Sequence, residues 1–355
     1  MLSKPGFEVF ELDSGNRLRA SRDEAFTYDE RNHLAERRSS DGSVTRYTYD
    51  SFDLLVRIER SAAELTLWPP QLDPEINLGA SPYPNVSSPR PPDLHWHAAY
   101  DALGRRLWTS WGNSRREFLW DGDRLAAEQL PSGIFRIYQY ASPNALTPLA
   151  FTDYDSLDAP LDSGKPYHIF SNPVGIPLRI EDARAATVWR AQRIDPYGAI
   201  ELEPGASLEY NLRWPGHYHD PETGLHYNRY RYYDPALGRY LQSDPIGYAG
   251  SPVNLYAYCP NPLVQVDVLG LDHEGKASKS GSEQTADSDG KEGTSSDNPS
   301  PKSGASEPTA EERILAASHG DTPAHRDARE KVVRHFYGDK PGLGQKRAEQ
   351  DMGYG

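Results

Sequence analysis

Residues 225–234, LHYNRYRYYD, constrain this chain more than any other stretch. Rings with polar tips and guanidiniums at successive positions suit neither bulk water nor an oily interior. Read as one strand, the stretch puts His226, Asn228, Tyr230 and Tyr232 on one face. Tyr227, Arg229, Arg231 and Tyr233 fall on the other, because side chains alternate along a strand. Such a strand is expected to be a wall between two polar spaces. The same chemistry spreads over residues 217–271. Nine of the 22 tyrosines lie between Tyr218 and Tyr258, and Asp-Pro recurs at Asp220-Pro221, Asp234-Pro235 and Asp244-Pro245. Aspartate and proline open turns and glycine closes them, so the block reads as short extended pieces joined by bends.

Upstream, a degenerate unit repeats four times: FTYDERNHLAER (26–37), YTYDSFDLLVRIER (47–60), AAYDALGRRLWTSW (98–111) and EFLWDGDRLAAEQ (117–129). Each is an aromatic-Asp pair, a short turn and a strand mixing apolar and charged residues. Gly104 stands where a positive φ closes a hairpin. Spacings of about 20 residues suit stacked hairpins in a solenoid-like sheet. Proline-, serine- and asparagine-rich residues 68–96 are expected to form a surface loop. Residues 141–165 read as a second irregular, acidic stretch.

The block DPETGLHYNRYRYYDPALGRYLQSDPIG (220–247), followed by NLYAYCPNP (254–262) and DVLGL (267–271), resembles the RHS-associated core of RHS and YD-repeat polymorphic toxins. The four upstream units resemble YD repeats. Residues 167–200 resemble the segment leading into that core, with Ser171 and Asn172 where the family usually has aspartate and histidine. The resemblance implies a mainly β fold: antiparallel hairpins forming part of a hollow β-cocoon that encloses a C-terminal toxin. It divides the chain into a YD-repeat shell (1–166), the core (167–271), a linker (272–308) and a variable tail (309–355). It also implies self-cleavage after Leu271, before Asp272, in the manner of an aspartyl protease. Arg231, Asp244 and Asp267 are the positions that carry it. Two carboxylates held close share a proton, so one serves as base on a water and the other as acid on the peptide. A guanidinium orients them or holds developing charge. Val268 replaces the proline of the family's terminal pattern, which makes an uncleaved structural shell the alternative.

Composition agrees with a hollow shell. Thirty prolines, 29 glycines and only 37% hydrophobic residues argue for many turns and a partly polar interior. A net charge of −14 speaks against nucleic-acid binding by the shell. Cys259 is the only cysteine, so no disulfide forms within the chain. No apolar leader or membrane span is read, and export of such a bacterial protein from the cytoplasm would need a signal-independent secretion machine. No cofactor is implied. His217-x-His219-Asp220 lacks a further metal ligand, GLGQK (342–346) lacks P-loop spacing, and no serine elbow or HExxH occurs.

After Leu271, residues 272–308 contain no Val, Leu, Ile, Met or aromatic side chain, which is expected of a flexible linker. Beyond it, Thr309 with Glu312 and Thr322-Pro323 start two expected helices. His319, His325 and His335 with Arg326, Arg329 and Arg334 are groups a nucleotide- or RNA-directed toxin could use. One apolar stripe (Ala328, Val332, Phe336) is little to build a domain on, so the tail is expected to be a truncated, inactive cargo. The partners implied are that cargo, a cognate immunity protein and the secretion machinery.

Overall fold

A turn built on aspartate recurs along the chain and sets its architecture. Asp29 Oδ1 accepts the amides of Arg31 and His33, Asp50 Oδ1 those of Phe52 and Leu54, and Asp101 Oδ1 those of Leu103 and Arg105. The residue three places after each aspartate has a positive φ: Asn32 at 65°, Asp53 at 65° and Gly104 at 72°. Side-chain bonds to the two forward amides thus replace water over a three-residue hairpin loop. Asp13 and Asp182 make the same turn. The fourth unit differs. Its loop is only Gly122-Asp123, and Asp121 binds Arg124 instead.

The computed structural model describes residues 11–271, except 22, 62–92, 143–144, 250–253, 260 and 263, together with Lys331. Hairpin follows hairpin in one antiparallel sheet of 16 strands, each paired with its sequence neighbours. The first eight are β1 (Glu11–Leu12), β2 (Leu18–Ala20), β3 (Glu24–Tyr28), β4 (Leu34–Ser39), β5 (Val44–Tyr49), β6 (Leu55–Ser61), β7 (Leu94–Tyr100) and β8 (Arg106–Trp111). The remainder are β9 (Ser114–Asp121), β10 (Arg124–Gln129), β11 (Phe135–Gln139), β12 (Ala150–Tyr154), β13 (Lys165–Ser171), β14 (Pro177–Asp182), β15 (Thr187–Ile194) and β16 (Ile200–Leu202). A separate antiparallel sheet holds β17 (Tyr218–Asp220), β18 (Leu225–Asn228), β19 (Arg231–Asp234) and β20 (Arg239–Tyr240). Within 11–271 the described residues contain no α-helix, only single 3-10 turns at Leu161–Ser163 and Gly247–Ala249.

Aromatic residues at the strand ends, three of them just before a turn aspartate, stitch one hairpin to the one before. The hydroxyls of Tyr49, Tyr100 and Tyr140 donate to the carbonyls of Leu34, Leu55 and Leu125, and the Trp120 indole donates to Arg106 O. A buried hydroxyl or indole N–H needs such a partner, so the repeat keeps an aromatic residue with a polar tip there.

Three expectations are corrected. Residues 94–96, placed in the proline-rich loop, belong to β7, where Leu94, Trp96 and Ala98 alternate into the core; the rest of that loop, up to residue 92, lies outside the described residues. The 141–165 stretch is not wholly irregular, because β12 crosses it with all five residues buried. Burial on both faces removes the period-2 pattern that marks a half-buried strand. Finally, residues 225–234 are a hairpin, not one strand. Asn228 pairs with Arg231 across the two-residue turn Arg229-Tyr230, where Arg229 has φ 52°. Tyr232 therefore shares a face with Tyr227, while Arg231 and Tyr233 join His226 and Asn228. Both faces are nonetheless buried throughout. The linker and, apart from Lys331, the two tail helices lie outside the described residues.

The main core fills the space between the two sheets. Trp96 meets Tyr232, Phe118 meets Tyr218, and Trp120 meets Tyr227, with ring centroids 5.9, 5.0 and 6.1 Å apart in edge-to-face geometry. Buried ion pairs cross the same space. Arg106 of β8 reaches Asp220 at 2.6 Å, and Arg37 of β4 reaches Asp234 at 2.9 Å. Arg106 and Asp220 are fully buried, and the guanidinium lies 4.5 Å from the ring centres of Phe118 and Tyr227. Truncating one member of such a pair leaves a charge in a dry site. Arg106→Met is expected to lower unfolding free energy by about 3–5 kcal/mol, whereas Arg106→Met with Asp220→Leu should restore much of it. Urea midpoints of the two variants check this, and equal losses would refute it.

Candidate active site

Arg231, Asp244 and Asp267 come together under the small sheet. Arg231 opens β19 and faces away from the large sheet. Asp244 follows β20, where its Oδ1 accepts the Ile246 amide and its carbonyl accepts the Gly247 amide, an Asp-Pro turn. Asp267 lies on the closing segment, tied down by two side chains: Asn228 Nδ2 donates to the Asp267 carbonyl at 2.8 Å, and the Asp267 amide donates to Tyr258 Oη at 3.4 Å. Arg231 Nη2 stands 3.2 Å from Asp244 Oδ2 and 3.2 Å from Asp267 Oδ2. One nitrogen therefore bridges both carboxylates, and all three side chains are buried to within 1%.

The remaining donors of the guanidinium are also engaged. Nη1 donates to Leu255 O at 3.2 Å and Nε to Gly270 O at 2.5 Å. The Tyr240 ring lies beneath it, 3.7 Å from Cζ. Tyr240 Oη donates to Asp267 Oδ2 at 2.9 Å and accepts from Asn228 Nδ2 at 2.7 Å. Burial and the adjoining Asp267 carboxylate hold the Tyr240 phenol well above its usual range, so it stays a donor.

The chain's own backbone threads this cluster. Leu271 N donates to Asp267 Oδ1 at 3.0 Å, while Gly270 O takes the Arg231 Nε bond. The peptide unit between Gly270 and Leu271 is thus gripped at both ends by the candidate groups. Tyr230 N adds a bond to Leu269 O at 3.3 Å. Only glycine suits position 270. Its φ is 70°, and a Cβ there would lie 2.7 Å from Asn228 O. Leu271 is therefore placed beside the carboxylates, and Asp272 lies outside the described residues. The three positions that the resemblance marks, Arg231, Asp244 and Asp267, are thus brought together, and Tyr240, Asn228 and Tyr258, which the sequence did not single out, stand against them. These stand in the same tyrosine-rich block, where nothing separates a site tyrosine from a packing one.

Other reactive groups are muted. Burial, then the Asp267 charge, pushes the Cys259 thiol up to about 12, which removes it as a nucleophile at neutral pH. His217 and His226 face each other, Nδ1 to Nδ1 at 3.4 Å. Asp220 turns to Arg106 instead, and among the described residues no group of three His, Cys, Asp or Glu side chains could hold a metal ion.

Burial, then Arg231, pushes His217 from 6.5 down to about 3. The unfolded chain therefore binds a proton that the folded chain refuses as pH falls below 6.5. Stability contributed by neutral His217 is full above that value and is lost towards about 3. From pH 7 to pH 5 the loss is about 2 kcal/mol for one such histidine. His217→Gln should weaken this acid dependence by that amount, read from urea midpoints at the two pH values. An unchanged difference would show that His217 takes up no proton on unfolding.

Comparison with known proteins follows the same geography. The teneurin YD-shell family model matches residues 94–259, and the RHS repeat matches residues 28–63. The double-stranded DNA deaminase toxin A of Burkholderia cenocepacia is 30% identical over 269 residues, 72% of this chain and 17% of that protein. Toxin protein Tse5 of Pseudomonas aeruginosa is 29% identical over 287 residues, 73% of this chain and 19% of its own length. The chain thus spans less than a fifth of either relative. Among solved structures, the crystal structure of TcdB2-TccC3 aligns over 70% of this chain and 14% of that one, with 18% identity and a TM-score of 0.42. With repeat hairpins, core block and matches coinciding, the chain belongs to the RHS/YD-repeat family of polymorphic toxins.

Proposed function

We propose that this chain is the closing part of a toxin-enclosing β shell and that it cuts itself once, after Leu271. The reading rests on one observation: Arg231 joins Asp244 and Asp267 at the peptide that precedes the expected cut. The YD-repeat hairpins (1–166) and the core (167–271) form wall and cutter, residues 272–308 are the linker, and residues 309–355 are the cargo.

The reaction needs one proton shared between the two carboxylates. One takes a proton from water as its oxygen attacks the Leu271 carbonyl carbon, and the other protonates the carbonyl oxygen. The carbon–nitrogen bond to Asp272 then breaks, the proton passes to the departing nitrogen, and a Leu271 carboxylate and a free Asp272 amine remain. Arg231 fixes both carboxylates and offsets charge on the oxygen. Tyr240 and Asn228 hold Asp267 in register.

The biological setting is carried over from relatives whose names call them toxins. The cargo would be released from the shell of a bacterial effector exported by a signal-independent machine, such as a type VI system, for competition between bacteria. A cognate immunity protein would protect the producer. The activity of one relative on double-stranded DNA belongs to that relative. Val268, in place of proline, favours the second reading, an uncleaved structural shell.

Purified protein is expected to separate into a fragment ending at Leu271 and one beginning Asp272-His273-Glu274. Asp244→Asn or Asp267→Asn should leave the chain whole, and Arg231→Lys should slow cutting by at least about 100-fold. Intact mass settles the matter. A single 39.7 kDa species from folded protein would establish the uncleaved reading, and Val268→Pro would then test whether the missing proline is the cause.

A further inference from the structure

The large sheet has a second apolar face. Opposite the main core, Leu119, Ala127, Phe135, Ile137 and Tyr154 of β9–β12 form a separate cluster. The loop after β12 folds over it, with Leu157, Ala159 and Leu161 packed against the cluster. The loop is pinned internally, since Ala159 N bonds Ser156 O and Ser163 Oγ bonds Pro160 O. That folding aims two main-chain carbonyls at one point.

Lys331, from the C-terminal tail, fills that point. Its ammonium donates to Ser156 O at 2.8 Å and to Ala159 O at 2.8 Å. The Tyr154 ring centre lies 4.3 Å away and Phe135 5.8 Å away. Two carbonyl acceptors and a ring face make a built receptor for a primary ammonium ion. The residue is only 6% exposed, which a lysine accepts only when its charge is met. A guanidinium is planar and would not present the same compact cation to this loop. Desolvation lowers the Lys331 pKa, and Asp158 opposes that effect.

We propose that the 156–159 loop and Tyr154 form a lysine-binding socket by which the shell holds its own C-terminal segment through Lys331. The contact lies on the opposite face of the sheet from Arg231, Asp244 and Asp267, and its occupation is independent of any cut after Leu271. The tail would therefore stay bound after separation from the shell, through a cation that a competing ammonium group of matching shape could displace.

Amine labelling of the full chain tests this. The protein is treated with limiting acetic anhydride and mapped by mass spectrometry, using Lys165, whose side chain is 56% exposed, as the internal standard. Lys331 should react at least ~10-fold more slowly than Lys165, because only the opened socket is reactive. Asp158→Lys changes an exposed loop residue and should bring Lys331 to within about threefold of the standard by like-charge repulsion. Lys331→Gln should speed amide exchange of residues 155–161 by roughly 10-fold. Comparable labelling of Lys331 and Lys165, or loop exchange unchanged in Lys331→Gln, would overturn the socket. Running the same map on Asp267→Asn separates this result from the fate of the cut.

Discussion

Charge pairing across a buried space sets how the two sheets of this molecule meet. The large sheet sends arginines inward, and the small sheet receives them on the aspartates of its Asp-Pro turns. Asp220 meets Arg106 and Asp234 meets Arg37, while the third such aspartate, Asp244, meets Arg231 from within the small sheet itself. An ion in that space has no water to return to, so each pair is strict in a way a surface pair is not. Aromatic faces complete the arrangement. Around Arg106 the rings of Phe118, Tyr218 and Tyr227 cover what hydrogen bonds do not. A chain with so few aliphatic residues can build a wall this way because rings and guanidiniums supply contact area and fixed direction together.

The same pairing prepares the candidate site. Arg231 is held by two backbone carbonyls and the Tyr240 ring as well as by two carboxylates. A guanidinium so constrained cannot swing away, and neither can the carboxylates on it. Preorganisation of this kind keeps reacting groups from reorienting at the moment of reaction. The segment 267–271 is fixed into the cluster by its own amides and carbonyls. Asp267 and the peptide it holds at Leu271 therefore share one short stretch of backbone.

Local features were legible in the sequence and distant ones were not. The hairpins could be read from the aromatic-Asp pairs and, in one unit, from Gly104 three places on, because those residues solve a problem inside five residues. Gly104 takes the positive φ expected of it. The turn at Arg229-Tyr230 was missed because neither residue is a usual turn former, and the alternation seemed to run straight through. Strand β12 was missed because AFTDY is buried on both sides and carries no alternation. The partner of each arginine was beyond reach altogether: Arg37 and Asp234 are 197 residues apart. Resemblance brought Arg231, Asp244 and Asp267 to notice, but only the folded backbone puts Asn228 and Tyr240 beside them.

The order of the strands carries a lesson about time. Every partner in the large sheet is the next strand along, so that wall can be laid down in chain order as the polypeptide emerges. The ties that span it arrive last, from Glu209 onward, and reach back as far as Asn16 from Arg239. Arg231, Asp244 and Asp267 belong to this final instalment. Arg231, Asp244 and Asp267 can thus meet only after the sixteen strands of the large sheet have been made, so the order of the chain alone puts the cluster after the wall.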